Sequence, residues 1–105
     1  MRTSNSKAWS LVNDKETFEG SNTFAEWESG MYVVYSYGRH FPMYVWDSWD
    51  KKWLGNKDKY SQSTTRHQSQ CRPSGEINTW FNTVELKNLI SMGGLLEYTI
   101  SKAQT

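Results

Sequence analysis

The stretch MYVVYSYGRHFPMYVWD, Met31 to Asp47, constrains this chain more than any other. It is dense in β-branched and aromatic residues, the composition of strands. At its centre Gly38-Arg39 reads as a two-residue type II′ turn, because glycine takes positive φ at the first central position. That register sets Tyr37 opposite His40, Tyr35 opposite Pro42 and Met31 opposite Trp46. Met31, Val33, Tyr35, Tyr44 and Trp46 then share one face, and Tyr32, Val34, Phe41, Met43 and Val45 the other. Neither face is polar, so the strand pair requires cover on both sides. Pro42 brings no N–H and marks a strand end, an edge or a bulge.

The neighbouring segments build outward from this hairpin. Trp46 faces Trp53 if Ser48 to Lys51 form the next loop, which gives a third strand with an aromatic cross-strand pair. Asn82 and Glu85 have capping-box spacing, and Phe81 and Leu86 are placed as a hydrophobic staple. Leu86, Leu89 and Ile90 fall on one helical face, and Gly93-Gly94 ends it, so the main helix is expected near residues 83–92. Ala8 to Val12 reads as a short strand. Thr23, Glu26 and Gly30 bracket a short helix from Phe24 to Glu28, and Leu95 to Ser101 reads as a closing strand. Met1 to Lys7 is polar and expected to fray. The expected fold class is α+β: one domain over residues 1–105, a small antiparallel sheet of three to four strands with one main helix packed on a face.

Composition decides whether such a chain has a core. Leu, Ile, Val and Phe make up only 18 of the 105 residues, but the net charge is just +1 and there are six Trp and six Tyr. Each such ring buries on the order of 150–250 Å², so aromatic layers replace the missing aliphatics. The single cysteine, Cys71, forms no internal disulfide. With no apolar leader and no run near the roughly 20 residues that span a bilayer, the chain reads as soluble and cytoplasmic.

NKDKYSQSTTRHQSQCRP, Asn56 to Pro73, is where chemistry concentrates. Residues 55–75 carry four bases and one acid, the most basic part of the chain. Thr65 and Gln68 have capping-box spacing, so a short helix is expected from Arg66 to Cys71, ended by Pro73. Tyr60 is the apolar anchor of the loop before it.

His67 and Cys71 are one helical turn apart, but zinc wants about four ligands and only His40 adds a nitrogen, so no metal site is expected. A metal-independent hydrolase or nuclease using His67 with a Ser or Thr hydroxyl is the alternative function. It lacks an evident orienting group or nucleophile elbow, and capping hydroxyls explain the same residues. No catalytic residue or cofactor is expected. The favoured reading is a binding surface made by Tyr37, Arg39, His40, Lys57, Lys59, Tyr60, Arg66, His67 and Arg72. Its cations suit phosphates and its aromatics suit bases. Tyr, Trp and Arg equally suit a protein partner. A buried polar clasp, with His67 or Thr64 serving the turn above it, is the competing account of the same residues.

YSYGRHFP at Tyr35–Pro42 and KYSQSTTRHQSQCRP at Lys59–Pro73 together resemble a family of small proteins encoded by bacteriophages and mobile elements. In that family an aromatic strand turns through Gly-x-His-Phe-Pro, matched here by Tyr37, Gly38, His40, Phe41 and Pro42. A Lys-Tyr-Ser segment follows, then hydroxyls and x-His-Gln, matched by Asn56, Lys59, Tyr60, Ser61, Ser63, Thr64, Thr65, His67 and Gln68. The resemblance spans about residues 31–73. It brings no activity; it implies a setting, a small phage-type protein acting in a bacterial cytoplasm. Proteins of that size and origin often bind and inhibit host machinery, including defence systems; with the cations and aromatics above, the expected partners are nucleic acid or a host protein complex.

Overall fold

A computed structural model describes residues 7–20, 22–59 and 62–103. The elements run α1 (Ala8–Asn13), β1 (Phe18–Glu19), β2 (Thr23–Glu28), β3 (Met31–Ser36), β4 (Pro42–Asp47), β5 (Lys52–Asn56), α2 (Gln62–Cys71), β6 (Ile77–Phe81), α3 (Thr83–Met92) and α4 (Leu95–Ala103). They form one six-stranded sheet in sequence order, β1 to β6. Neighbours are antiparallel except β5 and β6, which are parallel. The parallel pair follows from connectivity: α2 carries the chain back across the sheet between them, as a parallel crossover demands. The expectation of three to four strands and one main helix is therefore wrong. The sheet is mixed, has six strands, and carries helices on both faces.

Two cores follow from the two apolar faces of β3, every residue of which is buried. Tyr32, Val34, Phe41, Met43, Tyr44, Trp53 and Cys71 pack with Ala8 and Val12 of α1. Met31, Val33, Tyr35, Val45 and Leu54 pack with Leu86 and Leu89 of α3 and Tyr98 of α4. The need for cover on both sides is thus met by one helix pair on each.

The central hairpin departs from its expected register. Tyr35 pairs with Pro42 as expected, but Val34 pairs with Tyr44 and Met31 with Asp47, not Trp46. Met43 is the extra residue of a bulge, next to the proline that cannot complete the ladder. One extra residue moves every later side chain to the opposite face. Tyr44 and Trp46 therefore lie with Tyr32, and Val45 with Val33. The turn also differs: Tyr37 to Phe41 connects the strands, and the residue with positive φ is Tyr37 (66°) rather than Gly38. Beyond the bulge, Trp46 does face Trp53, with rings 5.5 Å apart.

Three local readings invert. Ala8–Asn13 is helix, not strand. Thr23–Glu28 is strand, because Phe24 stacks on Tyr35 at 4.9 Å and the segment pairs along all of β3, which outweighs a capping-box spacing. Leu95–Ala103 is helix; Oδ2 of the buried Asp47 accepts the Leu95 N–H at 2.6 Å and starts it. α3 matches expectation: Asn82 and Glu85 form the capping box, and Gly93 ends the helix at φ 93°. No helix among the described residues is long and apolar enough to cross a membrane.

Candidate functional site

α2 starts at Gln62, four residues before the expected Arg66, and ends at Cys71. Its inner face is Thr64, His67, Gln68 and Cys71. Only one of these is apolar, so hydrogen bonds, and not an aliphatic stripe, hold the helix to the sheet. His67 Nδ1 and Ser36 Oγ are hydrogen-bonded at 2.7 Å. The Tyr44 hydroxyl donates to the Gln68 carbonyl at 2.7 Å. Gln68 Nε2 donates to the carbonyls of Asn56 (3.0 Å) and Asp58 (3.2 Å), while its Oε1 accepts from Lys59 Nζ at 3.1 Å. Buried polar groups with such partners fix one geometry. Gln68 is thus no capping residue; it is the lock between α2 and the loop before it.

The outer face is formed by what the same spacing leaves over. Gln62, Thr65, Arg66 and Ser69 follow the i, i+3, i+4, i+7 pattern. With Lys59 they line an open concavity of about 410 Å³. Two cations, an amide and two hydroxyls converge there, a donor-rich set that suits phosphate oxygens. Among the described residues Arg66 makes no ion pair, in contrast to Arg39.

The predicted surface residues divide. Lys59 and Arg66 are brought together. Tyr37 and His67 are brought together too, with rings 5.1 Å apart. Tyr37 is 53% exposed, and its N–H donates to the Asn22 carbonyl at 2.7 Å. Lys15, Ser29 and Lys51 also have positive φ, but Tyr37 is the bulky one, and a non-glycine residue in this region costs about 1–2 kcal/mol. Arg39 is elsewhere: it grips Glu26 with Nε at 2.7 Å and Nη2 at 2.9 Å, beside the Phe24 ring. Arg72 lies over Trp80 at 5.5 Å. His40 is exposed in the turn, and Lys57 is exposed beyond β5, its N–H on the Phe81 carbonyl. Tyr60 lies outside the described residues. Gln62, Ser69 and Trp80 were missed as surface residues; the helical spacing from Gln62 to Ser69 was the signal that could have found the first two.

Of the residues considered as ligands or catalysts, His67 and Cys71 are turned inward and His40 is exposed. Burial pushes the Cys71 thiol up to about 12, away from the thiolate that metals and electrophiles need. His67 is 4% exposed and its partner Ser36 is fully buried. The pair is a clasp between α2 and the β3–β4 turn, roofed by Tyr37.

Burial and the nearby Arg66 charge hold the His67 imidazole below its ordinary value of 6.5. The folded protein therefore keeps this histidine neutral where the unfolded chain protonates it. Stability is expected to be full above about pH 6.5 and to decline as pH falls from there through the lowered folded value. Asp58 adds nothing in that window; hydrogen bonds from Thr83 lower it from 3.8, so its contribution fades only in stronger acid. Urea midpoints measured from pH 8 to pH 5, each to about a tenth of a unit, check this, with His67→Gln expected to flatten the slope. A wild-type midpoint that is level across the range refutes the clasp as a titrating element.

No protein-family model, curated protein or solved structure matches this chain. The site is therefore read from its own geometry.

Proposed function

We propose that this is a small non-catalytic binding protein of phage type, acting in a bacterial cytoplasm, and that its partner is nucleic acid held through phosphates at the outer face of α2. The observation that carries the reading is the convergence of Lys59 and Arg66 with Gln62, Thr65 and Ser69 on one concavity. Its opposite face is fixed by the His67 and Gln68 hydrogen bonds. A rigid backing matters because Lys59, already held by Gln68, loses less side-chain freedom on binding. The burial of Ser36 and His67 supports binding over hydrolysis, since a substrate has no open route to either atom.

The test is a salt titration of labelled DNA and RNA. Binding should weaken linearly in log salt. A Lys59→Ala/Arg66→Ala variant should show a shallower slope, by about 0.7 for each phosphate of a single strand that it no longer neutralises. Absence of binding at low salt rejects the reading.

One observation favours a second reading, inhibition of a host protein complex. Trp49 (70% exposed) and Leu96 (57%) flank an apolar groove of about 380 Å³ at the start of α4, with Ile100 exposed one turn along the helix. Exposed aromatics at a groove are typical anchors of protein interfaces. A complex captured from bacterial lysate that survives high salt but disappears in Trp49→Ala would favour this reading over the first.

A further inference from the structure

The phosphate reading leaves Tyr37 unexplained, and the inference here rests on that reading and refines its ligand. A tyrosine with positive φ is an outlier that a glycine or asparagine would relieve. The outlier is held from two sides: the Tyr37 N–H is fixed to the Asn22 carbonyl, and the ring rests at a tilt of 56° on His67. One side of the ring meets the imidazole, and the side chain remains 53% exposed. His67 is itself clamped to Ser36. The ring is thus a preset platform open to solvent.

Its position relative to the cations follows from the helix. Arg66 directly precedes His67 in α2 and lines the concavity with Lys59. Lys59 is tied to Gln68, the residue that follows His67. Tyr37 thus meets α2 at His67, which stands in sequence between Arg66, on the concavity, and Gln68, which holds Lys59. An aromatic platform beside a short line of cations matches a base followed by its phosphates. Bases in a duplex are stacked on one another and do not offer a face to such a ring.

We propose that the ligand is single-stranded nucleic acid, with one unpaired base stacked on Tyr37 and the adjoining phosphates on Arg66 and Lys59.

Four probes test this at one low salt concentration: oligothymidylate, oligouridylate, a duplex of equal length, and inorganic polyphosphate. Both single strands are expected to bind more tightly than the duplex and the polyphosphate; a difference between them tells DNA from RNA as the source. Tyr37→Asn keeps a residue that tolerates the backbone conformation but removes the ring. It should weaken oligonucleotide binding about tenfold, within the range for loss of one stacked base, and leave polyphosphate affinity and the salt slope unchanged. Tyr37→Phe should bind as the wild type does. Circular dichroism and the urea midpoint establish that each variant is folded.

Equal affinity for duplex and single strand, or a folded Tyr37→Asn variant that binds oligonucleotide normally, overturns the stacking inference. The phosphate reading survives that result if Lys59→Ala/Arg66→Ala still weakens all polyanions. If no polyanion binds, both fall together.

Discussion

Asn56→Ala is expected to lower the unfolding free energy by about 3–4 kcal/mol, a large effect for one polar side chain. Asn56 is wholly buried at the point where β5 leaves the sheet for α2. Its Nδ2 donates to the Pro42 carbonyl at 2.7 Å and to Thr83 Oγ1 at 3.0 Å. Its Oδ1 accepts the Asp58 N–H at 2.8 Å. One amide thus joins β4, the first turn of α3 and the loop leading into α2. Truncation orphans the Pro42 carbonyl inside the protein, at about 1–3 kcal/mol for an unsatisfied buried group, and the half-buried Asp58 N–H at a lower cost. It also leaves a void where the amide was, which adds a smaller packing cost. For a domain whose stability is on the order of 5–15 kcal/mol, that is a large share.

The comparison that isolates the mechanism is Thr83→Val. It removes, at nearly constant volume, the hydroxyl that accepts from Asn56 and also bonds the half-buried Asp58 carboxylate, while the Asn56 amide keeps its bond to Pro42, so a smaller loss of about 1–2 kcal/mol is expected. Urea denaturation of both variants decides the matter. Similar losses for the two would mean that Asn56 acts through packing rather than as a junction. A loss under about 1 kcal/mol for Asn56→Ala would mean that water replaces the amide without cost, against the burial seen.

This junction also shows why the sequence was only partly readable. α3 was legible because its signals are local: Asn82, Glu85 and Gly93 act within their own helix. The Trp46–Trp53 hairpin was legible because a four-residue loop sets its register. α4 was not, since the carboxylate that starts it, Asp47, is 48 positions away. The faces of β4 were misassigned because a single bulge at Met43 cannot be seen in an otherwise regular run. The same physics limited the site. The alternation of hydroxyls, amides and cations in residues 56–73 carries no hydrophobic period, because α2 is anchored by Ser36, Tyr44 and Asn56, none of which lies within the helix. The segment divides by face: His67 and Gln68 face in, as the clasp requires, while Arg66 and Ser69 face out. Helical spacing separates the two sets only once the helix is known to begin at Gln62.

Gly55→Val is the second substitution expected to act strongly, through space rather than through hydrogen bonds. Gly55 sits inside β5, paired with Tyr44 on one side and Trp80 on the other. Valine favours strands, and Gly55 does not hold a positive φ, so backbone preference alone would make the change stabilising. The Trp80 ring prevents that. A Cβ at this position would lie 2.6 and 2.7 Å from two ring carbons and 3.0 Å from Ile77 Cγ2. Trp80 covers the strand at its glycine, and Arg72 stacks over the same ring at 5.5 Å. Valine must lift the indole off the sheet, which costs about 1–3 kcal/mol as overpacking and separates the ring from Arg72. A double-mutant cycle with Trp80→Ala tests this directly. Trp80→Ala alone uncovers Gly55 and should destabilise, whereas in the Gly55→Val background the same truncation relieves the clash and should restore stability. The two changes should therefore couple by about 0.5–3 kcal/mol in the compensating sense. Additive losses would show that the ring yields without strain, and that Gly55 is present for a reason other than the indole above it.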